Sequence, residues 1–183
     1  MFWKDGTQDA KQVPGIRSFI LNDPTSATVV AGIDQSASSW WRNRASLAVD
    51  SSTATNQNLV NVLQSEFRQL RRYGGSPDTF LAGSDFIEAL EKEIRSKGDY
   101  SQTGFINNGL AIEYDPTLDD MSLAKYGYVM DCKTIMPMVM EGEDMKSHNP
   151  ARPEDKYVIY RAVTWTGGLI CNQRNANGVY SIA

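Results

Sequence analysis

Few side chains in this 183-residue sequence have the types and spacing that support chemistry. Carboxylates cluster at Asp119-Asp120 and at Glu141-x-Glu143-Asp144. Hard cations take several carboxylate oxygens, and a carboxylate-dependent hydrolase needs two acids held across a cleft. The Asp-x-Asp-x-Asp-Gly calcium pattern is absent, so solvated loop charge is the simpler reading. His148 is the single histidine and sits in a polar, proline-bearing stretch. No Gly-x-Ser-x-Gly elbow accompanies it, so it reads as a surface residue. Cys132 and Cys171 are the only cysteines, and neither belongs to a Cys-x-x-Cys pair. That excludes a disulfide framework and a thiolate zinc site, leaving two free thiols. The pairs Gly74-Gly75 and Gly167-Gly168 fit neither phosphate-loop pattern. The first reads as a helix stop, and the second as a bulge or a close backbone approach. The residues therefore point to no catalytic centre, no cofactor and no metal.

Surface recognition has better candidates. In Trp40-Trp41-Arg42-Asn43, two adjacent tryptophans in a loop-rich stretch cannot easily face one core. Either one of them packs on a partner, where Trp and Arg are enriched, or both cover the domain's own loops. Arg68, Arg71 and Arg72 crowd the end of a helical pattern, where the helix dipole favours cations. The alternative reading is plain solvated charge. Trp40, Trp41, Arg42, Arg68, Arg71 and Arg72 are the candidate contact residues.

These residues sit on an ordinary globular background. Hydrophobic residues make up 41% and charged residues 22%, with a net charge of −4. A strongly basic nucleic-acid binder is disfavoured, although a local basic patch is not. No window approaches the roughly 18 apolar residues of a membrane span.

Residues 1–56 are loop-rich and β-leaning. Leu59, Val62, Leu63, Phe67, Leu70 and Tyr73 recur every three or four positions, which predicts a helix over 56–73. Thr55 is its expected N-cap and Gly74-Gly75 its stop. Thr79–Ala82 reads as a buried strand. A second helix is expected over 85–97, opened by an Asp85–Glu88 capping box, closed by Gly98 and buried through Phe86, Ile87, Leu90 and Ile94. The period then changes to two. Asn108-Gly109 predicts a turn into a strand over 110–114. Further strands are expected at 126–130, 135–141, 157–166, 169–171 and 179–182, with 142–156 as an exposed loop. The class is α+β.

In order along the chain, several segments resemble the major capsid proteins of tailed bacteriophages. Asp5-Gly6-Thr7 with Pro14-Gly15-Ile16 is similar to that family's "Gly-x-Gly, then Pro-Gly-Ile/Leu" passage. Thr28-Val29-Val30-Ala31-Gly32-Ile33-Asp34, followed by Trp40-Trp41-Arg42-Asn43, resembles a "Gly-Thr-Val-Gly-Gly-Ile-Asp … Trp-Trp-Arg-Asn" stretch. Ala27 and Ala31 stand here in place of glycine. The 56–73 helix, Gly74-Gly75-Ser76-Pro77-Asp78, the 79–82 strand and the helix at Ser84-Asp85 look like the core of the family's axial domain. Tyr157 to Ala162, Trp165 to Leu169 and Asn177 to Tyr180 are similar to the last peripheral-domain strand and the return to the axial domain.

The resemblance implies a capsid fold: an axial domain with a mixed sheet flanked by helices, plus part of a peripheral-domain sheet. The family's N-terminal arm, extended loop and spine helix have no counterpart in these residues. The implied division is 1–115 axial, 116–166 peripheral and 167–183 returning to the axial domain. On this reading the strands of 126–166 pack as one sheet, incomplete without the absent helix. The implied role is a non-enzymatic shell subunit, or its C-terminal part, forming pentamers and hexamers around double-stranded DNA. Its implied partners are other capsid subunits, with scaffold, portal or decoration proteins, and DNA only through weak non-specific contact. Its implied place is the virion capsid, assembled in the host bacterial cytoplasm without a membrane. Two other readings are a small binding module using the Trp40-Trp41 region for a peptide or sugar, and an encapsulin-like nanocompartment shell.

Overall fold

The computed structural model of the chain describes residues 3–5, 7, 13–51, 58–96, 110–149, 157 and 161–183. In chain order, the strands are Val29–Val30 (β1), Ile33–Asp34 (β2), Arg44–Val49 (β3), Thr79–Ala82 (β4), Ile112–Tyr114 (β5) and Tyr126–Met130 (β6). Ile135–Val139 (β7), Lys146–Ser147 (β8), Val163–Thr164 (β9), Gly167–Cys171 (β10) and Gly178–Ile182 (β11) follow. The helices are Leu59–Leu70 (α1), Ser84–Ser96 (α2) and the short Pro116–Asp120 (α3).

The centre is a five-stranded mixed sheet in the order β3-β11-β6-β4-β5. Strand β11 runs parallel to β3 and antiparallel to β6, while β4 is antiparallel to β6 and parallel to β5. Alternation along the strands sorts side chains onto two faces. Phe80, Ala82, Val129 and Tyr180 join Leu59, Leu63, Phe67 and Leu70 of α1 and Phe86, Leu90 and Ile94 of α2 in one cluster. Tyr128, Met130 and Val179 point the other way, onto Trp3, Ile16, Ile20, Leu118 and Leu123. Each large apolar side chain buried this way contributes roughly 1.5–3 kcal/mol.

The apolar stripe of α1 from Leu59 to Leu70 and the apolar face of α2 are as the sequence predicts, but α1 ends at Leu70, and Tyr73, expected in the stripe, lies past it and is exposed. The caps also differ. Helix α1 begins after Asn58, whose side chain makes no capping bond. The carboxylate of Glu93, on α2 and only 1% exposed, accepts instead from the backbone N–H groups of Leu59 (3.0 Å) and Val60 (3.2 Å). Helix α2 begins at Ser84, so Asp85 lies inside the helix and is not its cap. The Ser84 N–H donates to Asp119 Oδ1 at 3.0 Å. Acceptors near a helix N-terminus satisfy N–H groups that have no intrahelical partner. In this chain two of those acceptors come from other elements. The glycine stop holds, for two different reasons. Gly74 takes a left-handed φ of +86°, whereas a Cβ on Gly75 would lie 2.4 Å from the Leu70 carbonyl oxygen.

The expectation of a single sheet over 126–166 is corrected. Four of the five residues of β6 are fully buried, which suits an interior strand, and it lies between β11 and β4. Strand β7 is exposed at Met136, Pro137 and Met138 and, among the described residues, pairs only with β10, as a two-stranded ribbon. Pro137 lacks an N–H and is tolerated there because β7 has one free edge. The close approach expected at Gly167-Gly168 is met at Gly167, where a Cβ would sit 2.5 Å from the Met138 carbonyl oxygen. In the expected 142–156 loop, β8 pairs with β9, which is the only strand among the described residues of the expected 157–166 strand. The Thr55 cap, the Gly98 stop, the Asn108-Gly109 turn and residues 158–160 lie outside the described residues.

Two outcomes follow from this architecture. Glu93→Ala leaves two buried N–H groups without their acceptor and is expected to cost about 2–3 kcal/mol by chemical denaturation, with Glu93→Gln costing less. Ala31 and Gly32 both take positive φ, 53° and 80°, in the turn between β1 and β2. A left-handed alanine is strained by roughly 1–2 kcal/mol. Ala31→Gly is therefore expected to raise the denaturation midpoint, by up to about 1 kcal/mol after glycine's greater backbone entropy is counted.

Candidate functional site: a basic aromatic groove

A 3₁₀ turn at Ser39–Trp41 places the two tryptophans on opposite sides of the chain. Trp41 is buried, and its indole Nε1–H donates to the Val30 carbonyl oxygen at 3.2 Å. Trp40 points out and is 61% exposed. The alternation continues. Arg42 lies outside, donating to the carbonyl oxygens of Gln35 (2.7 Å) and Ser36 (2.6 Å). Asn43 lies inside, where its amide accepts from the Leu21 N–H (3.1 Å) and donates to the Leu21 carbonyl (2.8 Å).

Behind this loop sits Arg174, 1% exposed. Its guanidinium donates to Phe19 O at 2.6 Å, Asn43 Oδ1 at 3.0 Å, and Trp41 O and Gln35 Oε1 at 3.3 Å. It also lies 5.7 Å from the Trp41 ring centre, a cation–π contact. Its hydrogen-bond partners are all neutral oxygens, and burial pushes its pKa below the ordinary arginine value. The sequence reading singled out neither Arg174 nor Gln35. The one available signal for the inward residues was the in–out alternation of Trp41 and Asn43.

The outward residues form one wall of a shallow groove of about 460 Å³. Trp40, Arg42 and Arg44 meet Arg72 and Tyr73, which follow the end of α1. Asn175 donates to the Trp40 carbonyl (3.2 Å), and Gln173 to the Tyr73 carbonyl (3.1 Å), so the C-terminal turn ties both walls. Arg44 is neutralised by a bidentate pair with Glu66, at 2.8 and 2.7 Å. The Arg72 guanidinium lies 5.6 Å from the Tyr73 ring centre and has no ion pair among the described residues. Of the six predicted contact residues, Trp40, Arg42 and Arg72 line the groove. Trp41 supports it from inside, while Arg68 and Arg71 are exposed elsewhere on α1 and its end.

Among the described acidic residues, Asp115, Asp119 and Glu143 make structural hydrogen bonds and ion pairs. Asp119 accepts from Ser84 N–H and, at 2.7 Å, from the Tyr114 hydroxyl, and these bonds hold its carboxyl below the ordinary value of 3.8. Burial tends to raise Asp115, but the Thr117 hydroxyl and N–H and the Trp3 indole N–H bond to it and lower it on balance. Glu143 pairs with Lys146, and His148 Nε2 lies 2.8 Å from Thr164 Oγ1, linking β8 to β9. Cys132 is exposed and Cys171 buried, both as free thiols. Among the described residues, no three His, Cys, Asp or Glu side chains gather as a metal site. No described helix is long and apolar enough to cross a membrane.

No family model matches the chain, and no curated protein does. Among solved structures, a cyanophage A-1(L) capsid asymmetric unit superposes with a TM-score of 0.58 over 98% of this chain, at 13% identity. The chain has a phage-capsid-like fold. It spans 62% of the length of that cyanophage chain.

The network and the groove should separate by mutation. Arg174→Met strands several buried oxygens and is expected to cost more than about 3 kcal/mol. Trp40→Ala, on the surface, is expected to stay within about 0.5 kcal/mol in the same denaturation assay. For Asp115 and Asp119 the folded pKa lies below the unfolded one. Their stabilisation is complete above about pH 4 and is lost as the pH falls through the lowered values. Asp119→Asn should thus flatten the acid limb of a stability-against-pH profile.

Proposed function

We propose that the chain is a structural subunit of an icosahedral capsid, without catalytic activity, that assembles into pentamers and hexamers enclosing double-stranded DNA. Capsid-like fold along 98% of the chain is the observation that carries this reading. The surface chemistry supports it: exposed Trp40, Tyr73, Met138, Met140 and Met145 suit contact with neighbours. A chain of net charge −4 suits a wall that does not clamp its DNA. Other capsid subunits are then the main partners, with scaffold, portal or decoration proteins in addition, and the virion capsid is its place after assembly in the host cytoplasm. An encapsulin-like shell would share the fold and differ in cargo.

The groove at Trp40 also suits a small module that binds a peptide or sugar, and such a module would be monomeric. Electron microscopy with sedimentation velocity on the purified protein decides between them. Rings, sheets or shells are expected. A strictly monomeric species at every concentration, with a peptide or glycan held at Trp40, would replace the capsid reading.

A further inference from the structure

Resting on the self-assembly proposed above, we infer that the groove receives the acidic bulge between β7 and β8 from a second copy of this chain, in a head-to-tail contact. The groove presents two exposed aromatic rings, Trp40 and Tyr73, beside Arg42 and Arg72. Arg42 is held in place by two carbonyl oxygens, with Asp34 near enough to feel its charge. Arg72 has no carboxylate partner among the described residues. The groove is therefore locally basic and apolar on a chain whose net charge is −4.

The bulge has the opposite character, and the paired strands continue past it as β8 and β9. Met140 and Glu143 close a turn, with the Glu143 N–H donating to the Met140 carbonyl at 3.0 Å and Gly142 at a φ of +78°. The turn is anchored to the other strand, because the N–H groups of Met140 and Thr166 donate across to Thr166 and Glu143. It holds out Glu141 and Asp144, both exposed and without an ion pair among the described residues. Beside them stand Met140 and Met145, 63% and 67% exposed. Glu143 is already matched by Lys146 and is not part of the contact.

The two surfaces are complementary in kind. Carboxylates pair well with guanidinium groups, and thioethers pack well on aromatic rings. Within one chain they stay apart. The base of the ribbon adjoins the groove, since Asn172 N–H bonds to the Thr134 carbonyl and Gln173 bonds to Tyr73. The bulge lies beyond a five-residue strand, roughly 17 Å further on. Both surfaces are left exposed, and a second copy satisfies each. A head-to-tail contact of this kind closes into a ring when its rotation allows.

Two charge reversals test the contact: Arg72→Glu in the groove, and Glu141→Lys with Asp144→Lys at the bulge. All three positions are exposed, and circular dichroism verifies that both variants fold. In sedimentation velocity, each variant alone is expected to need at least about tenfold more protein than the wild type to associate. An equimolar mixture is expected to recover association, because each variant's groove then meets a bulge of opposite charge. Association of either variant at the wild-type concentration, or a mixture that does not recover, overturns the contact. If the wild type assembles while both reversals are silent, this contact falls and the capsid reading stands. If the wild type is monomeric throughout, both fall. Should Arg72→Glu lose only binding to a double-stranded DNA probe, with assembly unchanged, the groove's occupant is nucleic acid and the contact is overturned.

Discussion

A guanidinium with neutral oxygen partners, sealed from water, organises much of this molecule. Removing a charge from water is costly unless its donors are met. Arg174 meets that requirement with oxygens from Phe19, Gln35, Trp41 and Asn43. Those residues lie in a segment with little regular structure of its own, so the arginine fixes its path. Gln35 and Asn43 are themselves held, by Asp23, Ser26 and Leu21. Arg174 stands four residues before β11, the strand that sits between β3 and β6. The loop-rich N-terminal segment and the central sheet are thereby joined at one buried point.

The same logic recurs at the helices. Glu93 of α2 serves the N-terminus of α1, and Asp119 of α3 serves that of α2. Each bond couples an element's own stability to the docking of another. The three helices and the sheet are therefore expected to behave as one cooperative unit. The β7–β10 ribbon stands outside that arrangement. Only its inner end, at Ile135, Leu169 and Cys171, packs on Phe19 and Val30. Its outer end carries methionines on an exposed surface.

Outward-facing features concentrate where the buried network ends. Trp40 and Arg42 are surface residues because their neighbours Trp41 and Asn43 are committed to the interior. A rigid interior of this kind presents its exposed side chains in fixed positions, which suits recognition between copies. No comparable convergence appears among the acidic residues described at 115–120 and 141–144. Asp115 and Asp119 are occupied as caps, and Glu143 by Lys146.

Local pattern was enough for the elements whose signal is periodic. The apolar stripes of α1 and α2, the buried strand at Thr79–Ala82, the Gly74-Gly75 stop and a strand at Tyr126–Met130 were legible, because side-chain spacing and glycine's tolerance of positive φ are properties of neighbours in sequence. The split between Trp40 and Trp41 was legible as a need and not as an orientation. Tertiary structure alone decided which cap serves which helix, that β6 lies inside the central sheet while β7 leaves it, and that Arg174 reaches back to Phe19. Those outcomes depend on contacts between residues 34, 35 and 155 positions apart. No local preference encodes them, because each becomes favourable only once the whole core has excluded water.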